Sequence, residues 1–152
     1  MRHMIGDLIT LAEQGEFDVI VHGCNCFCTM GSGIAKQIRE RYPAAYEADC
    51  TTEKGDISKL GGYTWVRVLS PRKNPFIIVN GYTQFRYGRD RRHADYNAIV
   101  SVFQLIKNNF PHAVIGYPYI GAGLAGGDWE VISRIINAAL AGMNHSVVEY
   151  RR

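Results

Sequence analysis

The chain has 152 residues, 47% hydrophobic and 20% charged, with 17 basic against 14 acidic side chains for a formal net charge of +3. A chain of this length is about one domain and buries close to ~70% of its unfolded surface, which excludes a multidomain machine and makes a core possible without disulfides or metal. The mild charge does not by itself argue for nucleic acid, and no apolar run approaches the ~18 residues of a membrane span.

In chain order, residues 17–22 (FDVIVH) form a short apolar run that reads as a strand. Ile34, Ile38 and Tyr42 mark a short helix after Gly33, and a second helical piece follows over residues 43–51. Residues 63–69 and 76–80 read as two further strands, and residues 72–75 and 85–93 as connections. Over residues 93–110, Tyr96, Ile99, Val100, Phe103, Ile106 and Phe110 fall on one helical stripe. A strand over residues 113–118 follows. Val131, Ile132, Ile135, Ile136, Ala139, Leu140 and Met143 then make another stripe, and residues 146–150 a last strand. Alternating strands and helices imply a single α/β domain over residues 1–152, with helices on both faces of a mostly parallel sheet. In such domains ligands bind at the carboxyl ends of the strands.

Composition singles out glycine, with 16 residues in 152 against a usual ~7%. Seven of them, Gly23, Gly31, Gly33, Gly121, Gly123, Gly126 and Gly127, fall in two strand-to-helix loops, residues 22–33 and 119–128. Glycines there let backbone N–H groups approach an anion that a helix N-terminus also favours, so a phosphate-bearing ligand is expected. The spacing is not that of a P-loop, because Gly31-Ser-Gly-Ile-Ala-Lys36 lacks G-x-x-x-x-G-K-[ST]. Residues 121–126 do read G-x-G-x-x-G, with Glu149 near the end of the next strand. No further strands follow that acid, which weighs against a dinucleotide domain.

Cys24, Cys26, Cys28 and Cys50 read as reduced thiols, and Asp7, Glu13, Glu16 and Asp18 interrupt any leader-like segment, so a cytoplasmic setting is expected. His22 with three nearby cysteines lacks the paired C-x-x-C spacing of a structural zinc site, so no metal and no cofactor is expected. Arg86, Arg89, Arg91 and Arg92 form the densest basic run, read first as a solvated connection and second as a contact for phosphates or RNA.

Four separated motifs resemble the macrodomain family: Ile5-Gly-Asp-Leu8, Val19-Ile-Val-His-Gly-Cys-Asn25, Met30-Gly-Ser-Gly-Ile-Ala35 and Ile120-Gly-Ala-Gly-Leu124. The resemblance runs over nearly the whole chain and implies a three-layer α/β/α sandwich with a mixed, mostly parallel sheet that binds ADP-ribose at its carboxyl edge. By that likeness Asp7 holds the adenine amine and Asn25 the distal ribose. Gly31, Ser32, Gly33 and Ile34 in one loop, with Gly121, Gly123, Leu124 and Gly126 in the other, hold the diphosphate and the distal end. Asn80, with Tyr82 and Gln84, follows a strand at the same edge, so one of the three is expected at the distal ribose or phosphate.

Within that family the protein-deribosylating branch carries an aspartate where this chain has Ala35, and the branch with a lysyl intermediate carries one at Ala125. His22-Gly-Cys-Asn25 is similar to the ADP-ribose 1''-phosphate phosphatase branch instead. The resemblance implies a phosphoric monoester hydrolase with His22 as general acid or nucleophile and Asp128 orienting it or the water. For each of these residues a structural reading stays open: His22 as a hydrogen-bonded buried histidine, Asp128 as a helix N-cap, Asn25 as a brace of its loop. An ADP-ribosyl hydrolase acting on protein or nucleic acid and a non-catalytic ADP-ribose-binding module remain the alternatives.

Overall fold

The computed structural model describes residues 1–151. Strand β1 (Arg2–Ile5) leads into helix α1 (Leu8–Glu13), followed by β2 (Val19–Cys24), α2 (Gly33–Arg41), α3 (Pro43–Cys50) and a 3-10 turn (Ile57–Lys59). Then come β3 (Tyr63–Leu69), β4 (Pro75–Tyr82), α4 (Tyr96–Asn109), β5 (Ile115–Tyr117), α5 (Trp129–Ala139) and β6 (His145–Glu149). The six strands form one sheet in the order β1-β6-β5-β2-β4-β3, parallel throughout except for β3, which runs antiparallel to β4. The chain adopts the α/β/α sandwich and mixed sheet that the sequence implies.

Period-two alternation along the central strand β2 builds two cores. Val19 and Val21 face α4 and α5, where they pack with Ile99, Val102, Phe103, Ile106, Ile132 and Ile136. Ile20 and Cys24 face the other way, toward α1, α2 and α3, with Ile9, Ile38 and Ala45. The four apolar residues that α4 commits to this core are fully buried, each contributing roughly 1.5–3 kcal/mol relative to exposure. At β5 the backbone of Gly116 lies so close to Phe17 that a Cβ would sit 2.6–2.8 Å from the ring.

Side-chain caps set the helix starts more sharply than periodicity does. Asp95 Oδ1 accepts from the Ala98 amide at 3.0 Å and starts α4 at Tyr96, the first residue of the apolar stripe. Asp128 does the same for α5, accepting from Glu130 at 2.9 Å. β1 and α1 escape a reading by pattern altogether. β1 is a four-residue edge strand with little burial, and α1 is a six-residue helix fixed by the Asp7 carboxylate.

Candidate functional site

The carboxyl ends of β2 and β5 deliver the two glycine loops to opposite sides of one cavity of about 750 Å³. After β2 the chain passes through positive φ at Cys28 (57°) and Met30 (40°) before Gly33 (56°) opens α2. Ser32 occupies the N-cap of α2 but makes no side-chain cap, so the first amides of that helix are left for a ligand. The loop is braced from below. Cys26 donates its amide to the Phe85 carbonyl at 2.9 Å, and the Arg39 guanidinium donates to the Thr29 carbonyl at 3.0 Å.

The second loop leaves β5 at Pro118 and turns through Gly121 (φ 74°) and Gly126 (φ 75°). Gly127 donates its amide to the Gly121 carbonyl at 2.6 Å, and a Cβ at Gly127 would stand 2.6 Å from that same oxygen. Only glycine lets the loop fold back on itself this tightly.

Of the residues expected at the site, Asn25, Gly31, Ser32, Gly33, Ile34, Gly121, Gly123 and Leu124 line the cavity. Asn25 is nonetheless occupied within its own loop, donating to Thr29 Oγ1 at 2.7 Å and accepting from the Phe27 amide at 2.8 Å. Gln84 lines the cavity, whereas its companions Asn80 and Tyr82 are buried beneath it. Thr29, Tyr87, Gly88, Arg89 and Tyr119 complete much of the wall, together with Asp49, a residue that no motif marks.

Five expected residues stand off the cavity. His22 is fully enclosed, because its place in the alternation of β2 turns it to the sheet face covered by α3. There its Nε2 meets Asn80 Oδ1 at 2.6 Å, and Cys24 Sγ lies 3.6–3.7 Å from both ring nitrogens. Burial pulls the imidazole down to about 4, only partly offset by the bond to Asn80, so the ring is neutral near pH 7, and it is absent from the cavity lining. The structure does not bring it to the cavity where it was expected to act on phosphate. Asn80 is spent on His22, on the Ala45 carbonyl at 2.9 Å and on Thr64 Oγ1 at 3.1 Å, so of the three residues expected there only Gln84 lines the cavity. Asp128 is exposed and caps α5, as its structural reading has it, and it is not among the residues lining the cavity. Asp7 Oδ1 caps α1 through the Ile9 and Thr10 amides at 3.0 and 3.2 Å, with Arg41 3.7 Å from its other oxygen. Gly126 packs against the Arg92 backbone.

The basic run borders the site. Arg89 lines the cavity, while Arg86, Arg91 and Arg92 border a second hollow of about 500 Å³. Aromatic rings hold two of them, Arg86 over Phe27 and Phe85 and Arg92 over Tyr96 at 4.3 Å. Among the described residues no three His, Cys, Asp or Glu side chains converge as metal ligands would. A cavity with open helix amides, two glycine turns and one arginine can accept an elongated anion carrying more than one phosphate.

A family model described as Macro domain matches residues 21–136. An Enterobacteria phage T4 protein, described as an uncharacterized 17.5 kDa protein in the tk-vs intergenic region, is 34% identical over 152 residues, covering 99% of this chain and 96% of its own. The DNA ADP-ribosyl glycohydrolase of Mycobacterium tuberculosis is 29% identical over 138 residues, 88% of this chain but 37% of that protein. The ADP-ribose 1''-phosphate phosphatase of Debaryomyces hansenii is 24% identical over 166 residues, 90% of this chain and 92% of its own. Among solved structures, the macrodomain of Mycobacterium tuberculosis DarG aligns with a TM-score of 0.72 at 22% identity, over 96% of this chain and 97% of that one. Thermosipho africanus DarTG in complex with ADP-ribose aligns with a TM-score of 0.74 at 14% identity, over 99% of this chain and 42% of that one.

Proposed function

The chain belongs to the Macro domain family, and from that premise we propose that it binds ADP-ribose 1''-phosphate between the two glycine loops and hydrolyses the terminal phosphate monoester. The observation that carries this reading is the convergence of two phosphate-holding backbones on one cavity, the uncapped start of α2 and the Gly121–Gly127 turn. The Debaryomyces hansenii phosphatase, similar over 90% of this chain and 92% of its own, supports this reading. Thermosipho africanus DarTG, solved in complex with ADP-ribose, shares this fold over 42% of its chain, which supports the reading.

Hydrolysis of a phosphate monoester asks little covalent chemistry of the protein. Backbone amides hold the phosphoryl oxygens, and Arg89 supplies positive charge at the wall. A water oxygen bonds to phosphorus as the bond from phosphorus to the sugar oxygen breaks, leaving its electron pair on that oxygen. The sugar oxygen then needs a proton, and a side chain in the cavity that can give one is worth roughly 10²–10⁴ in rate.

A second reading, release of ADP-ribose from nucleic acid, is favoured by Arg86, Arg91 and Arg92 at the hollow beside the cavity. Purified protein incubated separately with ADP-ribose 1''-phosphate and with ADP-ribosylated DNA distinguishes the readings. Phosphate release from the first alone is the expected result. ADP-ribose release from the second, with the first untouched, would overturn the phosphatase reading, and calorimetric binding of ADP-ribose without turnover of either would leave a binding module.

A further inference from the structure

The unassigned group with most to do in this cavity is Asp49. It stands on α3 four residues after Ala45, on the helix face turned to the sheet, and is 1% exposed although it lines the cavity. Its Oδ1 accepts from the Tyr82 hydroxyl at 2.8 Å, and its Oδ2 has no partner among the described residues.

The Tyr82 hydroxyl ends a buried chain whose hydrogens all run one way. Asn80 Nδ2 gives its hydrogens to the Ala45 carbonyl and to Thr64 Oγ1, which leaves Asn80 Oδ1 to accept from His22 Nε2. Tyr82 gives its hydrogen to Asp49 Oδ1, so across the 3.0 Å contact between the two hydroxyls Thr64 is the donor and the Tyr82 oxygen accepts. With Oδ1 filled by Tyr82, a proton on Asp49 has one place to sit. It belongs on Oδ2.

Building on the phosphatase reading above, we propose that Asp49 is the general acid of the hydrolysis, carrying its proton on Oδ2 and giving it to the sugar oxygen that leaves phosphorus. As the water oxygen bonds to phosphorus and the phosphorus to sugar-oxygen bond breaks, the Oδ2 proton passes to that oxygen and Asp49 becomes a carboxylate. The water's surplus proton leaves with phosphate to solvent, and Asp49 takes one back from solvent before the next turnover. His22, Asn80, Thr64 and Tyr82 are positioning residues that hold Oδ1 and orient the acid. Burial pushes the Asp49 carboxyl above its usual range, while Tyr82 and Lys59 pull the other way. The titratable groups that face it are Tyr82 from β4, Cys24 from β2, Cys26 in the loop after β2, Lys59 from the 3-10 turn and Tyr46 on its own helix. A bound phosphate dianion raises it further.

The test is the pH dependence of phosphate release from ADP-ribose 1''-phosphate, with ADP-ribose binding measured alongside. In Asp49→Asn, whose amide oxygen still accepts from Tyr82, kcat falls about 100-fold or more and the fall in rate at high pH disappears. ADP-ribose affinity stays within about threefold. In Tyr82→Phe, loss of a donor that favours the carboxylate moves that high-pH limb upward, a change that a purely structural role for Tyr82 would not produce. A folded Asp49→Asn protein turning over at the wild-type rate, or a Tyr82→Phe limb that stays in place, overturns the role of Asp49 alone. Should Asp49→Asn fail to fold, the Tyr82→Phe limb decides. Wild-type protein that binds ADP-ribose and releases no phosphate at any pH overturns the phosphatase reading and this role together.

Discussion

Lowering the pH from 7 to 4.5 weakens the fold through two buried histidines, and His22→Gln isolates the contribution of one. Burial pulls His22 and His145 from 6.5 to about 4 in the folded chain, so below about pH 6.5 the unfolded chain binds protons that the folded chain does not. Stability from each is therefore complete above about 6.5 and drains as pH falls toward 4, with roughly 2–3 kcal/mol per histidine gone by pH 4.5. Asp49, raised by burial, works in the opposite sense and recovers stability on acidification. His145, whose Nδ1 meets the Tyr117 hydroxyl at 2.7 Å, and Asp49 are present in both proteins and cancel in the comparison. Gln at position 22 can still donate to Asn80 Oδ1 but does not titrate. The assay is urea unfolding followed by the fluorescence of Trp65 and Trp129 at pH 7, 6, 5 and 4.5. The gap between wild type and variant should close by roughly 2–3 kcal/mol over that range. A gap that stays constant with pH would refute the assignment of His22 as a buried neutral base.

Gly127→Ala places a Cβ 2.6 Å from the Gly121 carbonyl, so calorimetry should show ADP-ribose binding weakened at least about tenfold while the rest of the sheet folds. Gly116→Ala meets the Phe17 ring at 2.6–2.8 Å and should lower stability by about 1–3 kcal/mol in the same urea assay, far from any ligand. Asp128→Ala removes the α5 cap at 2.9 Å and should cost about 1 kcal/mol, read as a drop in melting temperature of roughly 2–4 °C.

Periodicity located β2 to β6 and α2 to α5, because each carries an apolar run or stripe that must be buried. It said nothing of β1 and α1, whose short lengths hold too few apolar positions to show a period. The two glycine loops were legible for a similar reason, since backbone that must approach a ligand or itself leaves glycine in the sequence. His22 was harder. Asp128 carried its N-cap reading in the sequence, but for His22 whether the side chain rises into the cavity or drops under a helix depends on which sheet face α3 covers. No local pattern states that. Asp49 left one usable sign, an acid four residues after the buried Ala45 and hence on the core face of α3. An acid at such a position needs a buried partner, and the Tyr82 hydroxyl donates to it.

The pairing of β1 with β6 constrains the order in which the chain assembles. Arg2 pairs with Ser146 and Ile5 with Glu149, so of these six strands the one made earliest waits for the one made latest before it has a neighbour. Closing so long a loop adds little to the equilibrium cost, which grows only with the logarithm of length, but it delays the contact in time. The central strands and the glycine cradle join over shorter separations and can form first. β1 then completes the sheet edge as a late event, and until it does the flank of β6 is an unpaired row of backbone groups open to another chain.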